Sequence, residues 1–428
     1  SASAAAMNRY DIFAEIAPGQ TRIGFFDAAG IIQDVWLCRD DQPDLTGSVH
    51  QARVEQVFAG QNRARGRLAD GTSISIKLPK TGRAAVSAGA VVVVTIIAPP
   101  RHGKAWQAVL DARLVAAALV LLPGQSAIHL SRSLDDEAAA DLRKMLAELH
   151  LPDGFGVILR RHARQMTRPM LQTAIDDLVA TWQAGFVACD PAAPGMLYDG
   201  GSLHQRALRA VPDGCYHICP IGNAQSAQID RAVAMAMQPQ VDLPSGGTLW
   251  CQWTHALWAI DIDGADADIE KHGFGALLGE AAGEIARQIR LRGMSGPIMI
   301  DVPRAGPASK KFRTQLHGYC AEDPQNPEIL GVTRGGMLEL WRPHGRASLL
   351  DMMSDDVAQA ALAGLRLAAA RPAFKSVQLA VTASMAAWLK GAGAAAVVAL
   401  ERPLELTICL DDDPRAVAYI IDKAKSSY

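Results

Sequence analysis

Residues 248–263 read TLWCQWTHALWAIDID, and this stretch sets the architecture of the middle of the chain. Two apolar runs flank a short polar turn, which predicts a β-hairpin. A helical repeat of apolar residues follows at 273–293, and PIMID (297–301) is a further apolar strand. A strand–helix–strand unit joins parallel strands by a right-handed crossover, and ligands gather beyond the carboxyl ends of such strands. We therefore expect Asp261 and Asp301, which end two of these strands, at one edge of an α/β sheet.

Three carboxylates meet at this predicted edge. Asp261 and Asp263 lie two residues apart on one strand, so their side chains leave the same face, and Asp301 adds a third acid. Neighbouring carboxylates repel each other unless a cation, a proton or solvent relieves them. Mg²⁺ suits a site of hard oxygen ligands, and Mn²⁺ is the other candidate. The alternative is a solvated strand end that binds no metal, since acidic residues are mostly exposed.

A metal at Asp261, Asp263 and Asp301 would support hydrolysis of a phosphodiester. The ion lowers the pKa of a bound water, which becomes the attacking hydroxide, and screens the charge of the scissile phosphate. Lys310 and Lys311 follow the Asp301 strand after a short loop. They could reach a phosphate near the metal or begin a solvated helix, and the sequence leaves both interpretations open.

The composition is that of a nearly neutral globular protein. The chain carries a net charge of −2 and is 49% hydrophobic. Its length of 428 residues is enough for roughly two to four domains. The longest apolar runs are too short to span a bilayer, so we expect a soluble, cytoplasmic protein. The overall charge does not indicate nucleic acid, but the segment 159–169 concentrates arginines, including Arg160 and Arg161, that could form a phosphate track.

The seven cysteines are scattered and odd in number, which does not describe a disulfide framework. Cys215, His217 and Cys219 alternate within CYHIC, so the three side chains could share one face of a strand. The sequence has no second ligand pair of the CxxC type. Buried strand cysteines are therefore favoured over a zinc site.

Strand signals dominate the first hundred residues. Residues 10–42 alternate apolar and polar side chains around DAAG, which predicts a hairpin or meander. Several short β-like runs in 48–108, separated by turns such as ADG and PKTG, predict a small closed barrel of the OB type. GFGVILRR (154–161) predicts a strand followed by a helix, and the chain beyond about 352 predicts a small α/β module.

Three long motifs resemble the catalytic core of the ribonuclease E/G family. They are VDLPSGGTLWCQWTHALWAIDIDGA, GEIARQIRLRGMSGPIMIDVPRAG and TRGGMLELWRP, in the order and with the gaps of that family. PDGFGVILRR is similar to the strand–helix junction of the family's 5′-sensor domain. The likeness runs from Tyr10 to about Asp422 and implies a metal-dependent endoribonuclease with an RNA-binding barrel.

The resemblance also implies roles for single residues. The two magnesium-binding aspartates of the family fall on Asp261 and Asp301, and its accessory asparagine falls on Asp263. Arg160 falls on the arginine that contacts an RNA 5′-monophosphate, and Arg161 stands where the family usually has threonine.

The resemblance further implies a fold class: a multidomain α/β protein with an inserted barrel and a βαβ catalytic domain. The expected parts are an RNase H-like part (8–45 with 200–238), an OB-type barrel (46–108), a 5′-sensor-like α/β domain (109–199), a catalytic metal-binding domain (239–345) and a small α/β domain (346–428).

This sequence departs from the family pattern in ways that bear on its partners. The barrel stretches that normally carry aromatic residues for base stacking read RARGR (63–67) and SIKLP (75–79). Stacking is worth roughly 1–3 kcal/mol per base. We therefore expect the barrel to bind RNA differently, with Arg65 and its neighbouring arginines contacting the RNA backbone. The family's CPxC zinc-link is missing from the matching region, and we expect a short member of the family without the scaffold tail of larger members. These differences argue against structural zinc and a zinc-stapled assembly, and they leave a homodimer open.

The sequence therefore predicts a Mg²⁺-dependent endoribonuclease that cuts single-stranded RNA, with rRNA or tRNA maturation and mRNA turnover both open. One alternative is a family member that binds RNA or protein with little cleavage of its own. Another is a metal phosphohydrolase for small molecules. Magnesium-dependent cutting of RNA separates the first prediction from both alternatives.

Overall fold

The computed structural model describes residues 10–79, 86–101, 103–126, 128–131, 140, 142–144, 149–264, 273–303, 307–371, 376–401, 405–411 and 418–421. Within these ranges the chain is a mixed α/β protein with a closed five-stranded barrel and four further sheets. No single helix of the described residues is long and apolar enough to cross a bilayer. One pair of helices, 383–390 and 394–401, bent by 80°, passes by length and composition when taken together.

The N-terminal strands form a meander that a distant strand completes. The four strands are β1 (Asp11–Ala17), β2 (Gln20–Phe26), β3 (Ile32–Arg39) and β14 (Cys215–Ile218). β1, β2 and β3 pair antiparallel in sequence order, and β14 pairs parallel with β1. The meander predicted for residues 10–42 is confirmed. Ile12, Ala14 and Ile23 are fully buried, so alternate positions of β1 and β2 face one core.

The next strands close into the predicted barrel. They are β4 (Val49–Phe58), β5 (Arg63–Arg67), β6 (Ser73–Lys77), β7 (Val91–Ala98) and β8 (Trp106–Val109). Their order is β4-β5-β6-β8-β7, and β7 pairs back onto β4. Small and β-branched residues, among them Ala52, Ala64, Ile74, Ile76 and Val94, fill the interior. Closure leaves these strands without a free edge along most of their length.

A compact α/β unit follows the barrel. Its elements are β9 (Leu114–Val115), β10 (Leu119–Pro123), β11 (Ile128–Leu130), β12 (Phe155–Leu159), a 3₁₀ turn (Arg161–Gln165) and α1 (Arg168–Ala188). Pro169 lies in the first turn of α1, where a missing N–H costs nothing. Strand β13 (Gly195–Tyr198) then pairs antiparallel with β4, so this unit is bound to the barrel by a strand ladder.

Two capped helices lead to the middle of the chain. They are α2 (Leu203–Ala210) and α3 (Ala224–Ala236). The Ser202 side chain accepts a hydrogen bond from the Gln205 backbone N–H in a capping box, and Asn223 caps the second helix in the same way. Ile229 of α3 is fully buried against the meander.

The central sheet carries the predicted strand–helix–strand unit. Its elements are β15 (Gln240–Asp242), β16 (Thr248–Trp253), β17 (Trp258–Asp263), α4 (Phe274–Leu291), β18 (Gly296–Asp301), α5 (Pro307–Cys320), β19 (Glu328–Val332) and β20 (Leu338–Arg342). The strand order is β15-β16-β17-β18-β20-β19, with β17 and β18 parallel. The two helices α4 and α5 cover one face of the sheet. The other face carries the exposed strand residues.

The last part of the chain is the predicted small α/β module. It consists of α6 (Leu349–Met353), α7 (Asp356–Ala369), β21 (Ser376–Val381), α8 (Ala383–Lys390), α9 (Ala394–Glu401), β22 (Glu405–Leu410) and β23 (Tyr419–Ile421). β22 runs parallel and β23 antiparallel to the central strand β21. Alanines of α7 allow this helix to pack closely on β21.

Buried ion pairs connect these parts. Arg22 of β2 donates two hydrogen bonds of 2.8 Å to the buried carboxylate of Glu15 and also pairs with Asp230 of α3. Arg366 of the C-terminal module donates to Gln20 of β2 at 3.1 Å. The meander is therefore held to elements that lie some two hundred residues or more further along the chain.

A second buried pair fixes the end of β20. Arg342 contacts both oxygens of Asp323 at 2.7 and 3.1 Å and donates to the Met294 carbonyl oxygen at 3.0 Å. Burial alone would raise the pKa of Asp323, but the charge and hydrogen bonds of Arg342 hold it below its ordinary value. Both side chains are almost fully buried, so each charge depends on the other.

Replacing Asp323 by alanine should destabilise the fold by about 3–5 kcal/mol, because it leaves the Arg342 guanidinium buried without a counter-charge. The matched control is Arg113→Ala, which breaks an exposed pair with Asp111 and should cost about 1 kcal/mol or less. Urea denaturation followed by circular dichroism measures both changes in the free energy of unfolding. Equal losses in the two variants would contradict the assigned role of the buried pair.

Candidate metal centre and nucleic-acid surface

The two predicted metal ligands are direct neighbours across two parallel strands. Asp261 of β17 and Asp301 of β18 are register partners, and both side chains are exposed. Ile260, Ile262 and Ile300 alternate with them and are buried against α4 and α5. The packing of these isoleucines therefore fixes the face on which the aspartates stand. Asp263 leaves β17 on the same exposed face.

Electrostatics at this edge favour a cation. Partial burial, followed by the negative charges of Asp301 and Asp263, raises the pKa of Asp261 above its ordinary value. The part of this shift that follows burial reflects repulsion among carboxylates that share one corner of the sheet. A divalent cation would relieve the repulsion, and the donor set of carboxylate oxygens fits Mg²⁺ or Mn²⁺.

The aspartates belong to a longer row of side chains across the sheet. Gln240 of β15 pairs with Trp250 of β16, Trp250 pairs with Asp261, and Asp261 pairs with Asp301. All four side chains are exposed on the face away from the helices, and Trp250 keeps 37% of its surface in solvent. Neither Gln240 nor Trp250 was predicted as a site residue. The signal was present, because Leu249 and Cys251 on either side of Trp250 are apolar and point inward.

The two lysines lie on the helix after β18. Lys310 and Lys311 are both exposed in α5, which begins at Pro307 shortly after Asp301. The helix agrees with the sequence interpretation that these lysines lie near the start of a solvated helix. Contact of the two cations with a phosphate stays a prediction.

Arg160 lines a large cavity between the α/β unit, the barrel and the central sheet. Its Nη1 donates to the Ala116 carbonyl oxygen at 3.2 Å, and burial together with the nearby Arg209 lowers its pKa. The cavity measures about 860 Å³ and is also lined by Arg206. Arg161 opens the 3₁₀ turn, but its side chain lies outside the described part of the structure.

The outer surface of the barrel carries a basic strand. Arg63, Arg65 and Arg67 of β5 point outward, while the alternate positions are buried. Glu55 contacts Arg65 at 3.2 Å and Arg67 at 2.6 Å. The arginines are therefore exposed on the barrel surface. Part of their charge is balanced by Glu55 on the neighbouring strand.

The CYHIC segment groups differently from the expectation. The side chains of Asp11, Cys215 and His217 have ligand atoms within 4.8 Å of one another. Cys219 is not part of this group; it follows the end of β14 and is buried. The burial of Cys219 agrees with the favoured interpretation of a buried cysteine, and the register of β14 on β1 brings Asp11 next to Cys215 and His217.

These features define a mixed α/β protein that joins a closed barrel to a βαβ sheet with paired carboxylates. The chain belongs to the Ribonuclease E/G family, whose sequence model matches residues 113–219 and 220–344. The matched segments cover the α/β unit and the whole central sheet, including every residue of the carboxylate cluster.

Individual relatives agree with this assignment. Ribonuclease E of Escherichia coli K12 is 29% identical over 301 residues, which are 61% of this chain and 28% of that protein. Ribonuclease E of Haemophilus influenzae is 26% identical over 69% of this chain and 34% of that protein. Ribonuclease G of E. coli K12 is 22% identical over 81% of this chain and 82% of that protein. The chain therefore spans about a third or less of these two ribonuclease E proteins and most of the length of this ribonuclease G.

Binding of Mg²⁺ or Mn²⁺ should raise the Tm of the native protein, because a ligand that binds only the folded state stabilises it. The increase should disappear in Asp261→Asn and in Asp301→Asn. It should persist in Glu339→Gln, which removes an acid from the same sheet face on β20. Differential scanning calorimetry with and without each ion measures the shift. An undiminished shift in both aspartate variants would exclude a metal at this edge.

Asp261 should also make the metal-free protein less stable as pH rises. Its pKa is higher in the folded state than the ordinary value of 3.8, so the folded protein holds this proton more tightly than the unfolded chain does. Ionisation therefore costs stability as pH rises from the ordinary value through the raised one, and the cost persists above it. In EDTA, Asp261→Asn should be more stable than the native protein at neutral pH and equally stable below pH 3.8. Chemical denaturation over a pH series measures the free energy of unfolding of both proteins. A variant that is less stable than the native protein at neutral pH would contradict the prediction.

Proposed function

We propose that this chain is a Mg²⁺-dependent endoribonuclease that cuts single-stranded RNA during RNA processing or turnover. The observation that carries the proposal is the register pairing of Asp261 with Asp301 on neighbouring parallel strands. Membership of the family supports the class of reaction, since the relatives bear the names Ribonuclease E and Ribonuclease G. Maturation of rRNA or tRNA and decay of mRNA are equally compatible with these observations.

The carboxylates would hold the metal ion. Asp261 and Asp301 would bind Mg²⁺ or Mn²⁺ directly, and Asp263 would bind it or orient a water beside it. The bound ion would supply a hydroxide nucleophile and screen the scissile phosphate. Lys310 and Lys311, exposed on α5, would neutralise phosphate charge next to this site.

The arginines would hold the remainder of the RNA. Arg160 lies near Arg209 beside the cavity, so a 5′-monophosphate entering there would relieve repulsion between two cations. Arg161 would be a second contact for that phosphate. On the barrel, Arg65 and its neighbours on β5 would track the RNA backbone, exchanging the Glu55 carboxylate for phosphate oxygens.

The parts of the chain would divide this work. We assign an RNase H-like part to 8–45 with 200–238, an OB-type RNA-binding barrel to 46–108, a 5′-sensor-like domain to 109–199, a catalytic domain to 239–345 and a small α/β domain to 346–428. The return of β14 to β1 supports the discontinuous first part, and the closed barrel supports the second.

Native protein should cut a 5′-monophosphorylated, A/U-rich, single-stranded RNA only when Mg²⁺ or Mn²⁺ is present. Asp301→Asn should reduce the rate by about a hundredfold or more, since metal stabilisation of the developing charge is worth several kcal/mol. Glu339→Gln on the same sheet face should cut at the native rate. Denaturing gels of end-labelled RNA give the rates, and ligation of the products checks for a 5′-phosphate.

Other outcomes would favour the alternative functions. Binding of the RNA by native protein and Asp301→Asn, with cutting by neither, would support a binding protein. Metal-dependent hydrolysis of nucleotides or sugar phosphates, with no retention of RNA, would support a small-molecule phosphohydrolase. Cutting that persists in Asp301→Asn would place the catalytic centre elsewhere.

A further inference from the structure

We propose that the exposed face of the central sheet carries a nucleobase subsite beside the carboxylates, with Trp250 as its stacking platform and Gln240 at its edge. The inference deepens the proposed function and rests on it. It would place the base of a nucleotide next to the scissile phosphate on the catalytic sheet itself, rather than on the barrel.

The strand register supplies the geometry. Gln240, Trp250, Asp261 and Asp301 are successive partners on four adjacent strands, so they form one straight row on one face. Neighbouring strands lie about 4.8 Å apart. The indole therefore stands one strand away from Asp261 and two strands away from Asp301. A nucleotide whose phosphate reaches the carboxylates through a metal ion has its base within reach of this indole.

Among the described residues, Trp250 is not part of the apolar core of the central sheet. The inward positions of its strand belong to Leu249 and Cys251, which are buried in the core beneath α4 and α5. Trp258, in the other strand of the same hairpin, is 1% exposed, whereas Trp250 is 37% exposed. An exposed indole with a flat apolar face is the side chain best suited to stacking on a base.

The surroundings of Trp250 select the class of ligand. The row itself contains Asp261 and Asp301, and Asp242 and Asp263 flank it on the same face. This acidic surface repels an anionic membrane and would meet a phosphate only through a cation. A nucleotide satisfies both demands, because its phosphate binds the cation and its base offers a neutral π-face.

Gln240 adds a hydrogen-bonding edge to the platform. Its Nε2 donates to Asp242 Oδ1 at 3.0 Å, which orients the amide next to Trp250. A side-chain amide can accept from and donate to the edge of one base, as glutamine does with adenine. The amide therefore lies where it can contact the edge of a base that is stacked on the indole.

The barrel strengthens the case, because its outward β5 positions are arginines. Arg63, Arg65 and Arg67 can contact phosphates, but they fill the outward positions from which a barrel strand would present aromatic side chains to bases. A stacking residue in the central sheet would restore part of that binding energy. This binding energy would act beside the scissile bond, so the stacked base would also help to orient the scissile phosphate.

The test compares Trp250→Ala, Trp250→Phe and a control, Trp341→Ala. Trp341 is 40% exposed on the same sheet face but lies on β20, opposite Pro297. Substrates are a short single-stranded RNA and copies with one abasic ribose at each position flanking the cut. Trp250→Ala should raise KM by about 5- to 150-fold for intact RNA, the range expected for one lost stacked base. Trp250→Phe and Trp341→Ala should stay within about threefold of native.

The abasic substrates separate stacking from a structural effect. At one position next to the cut, removal of the base should raise KM for the native protein but not for Trp250→Ala. The reason is that the abasic ribose and the substitution remove the same contact. If Trp250→Ala is equally impaired on intact and abasic RNA, or if Trp341→Ala matches it, the subsite does not exist. Melting curves of each variant verify the fold.

A binding measurement distinguishes failure of the subsite from failure of the nuclease proposal. Equilibrium binding of the same RNAs to native protein and Trp250→Ala is measured in Mg²⁺ by fluorescence anisotropy. If native protein binds with the predicted dependence on the base but does not cut, the nuclease function fails and the subsite stands. If it cuts RNA with no such dependence in binding or KM, the subsite fails alone. If it neither binds nor cuts RNA, both fail.

Discussion

The parallel pairing of β17 with β18 is the constraint on which the candidate site depends. Ile260, Ile262 and Ile300 are buried on one face, so a slip of one residue in either strand would turn its isoleucines to solvent and its aspartate into the core. Apolar burial is worth roughly 25 cal/mol per Å² of surface. The burial of these isoleucines therefore outweighs the repulsion between two exposed carboxylates. The core therefore holds Asp261 and Asp301 together, and the site inherits its rigidity from packing rather than from contacts of its own.

The rest of the chain is built around the helix that joins these strands. Arg287 of α4 donates to the Ile32 carbonyl oxygen at 3.0 Å, and Arg290 donates to the Gln33 side chain at 3.0 Å. Strand β3 of the meander thus packs along the crossover helix of the central sheet. The meander reaches the C-terminal module through Gln20 and Arg366. Side-chain contacts of this kind hold the meander to both the central sheet and the C-terminal module.

Local patterns predicted most of the elements, because alternation and helical repeats depend only on neighbours in sequence. The hairpin, α4, β18, the barrel strands and the C-terminal module were all expected. Contacts set by register between distant strands were not, since nothing near Cys215 encodes its pairing with Asp11. Trp250 and Gln240 escaped notice because their position beside Asp261 depends on the pairing of three strands. The aspartates were found because they end strands of a recognisable unit.

The return of β14 to β1 has a consequence for biosynthesis. At about 5–20 residues per second, Cys215 is made roughly 10–35 s after Arg39 has left the ribosomal active site. During that interval the barrel can close, while the edge of β1 has no neighbour on the side that β14 will take. An open edge invites pairing with other chains. The nascent protein is therefore most vulnerable to aggregation before its first sheet is complete, and a slow or paused ribosome between these strands would lengthen that exposure.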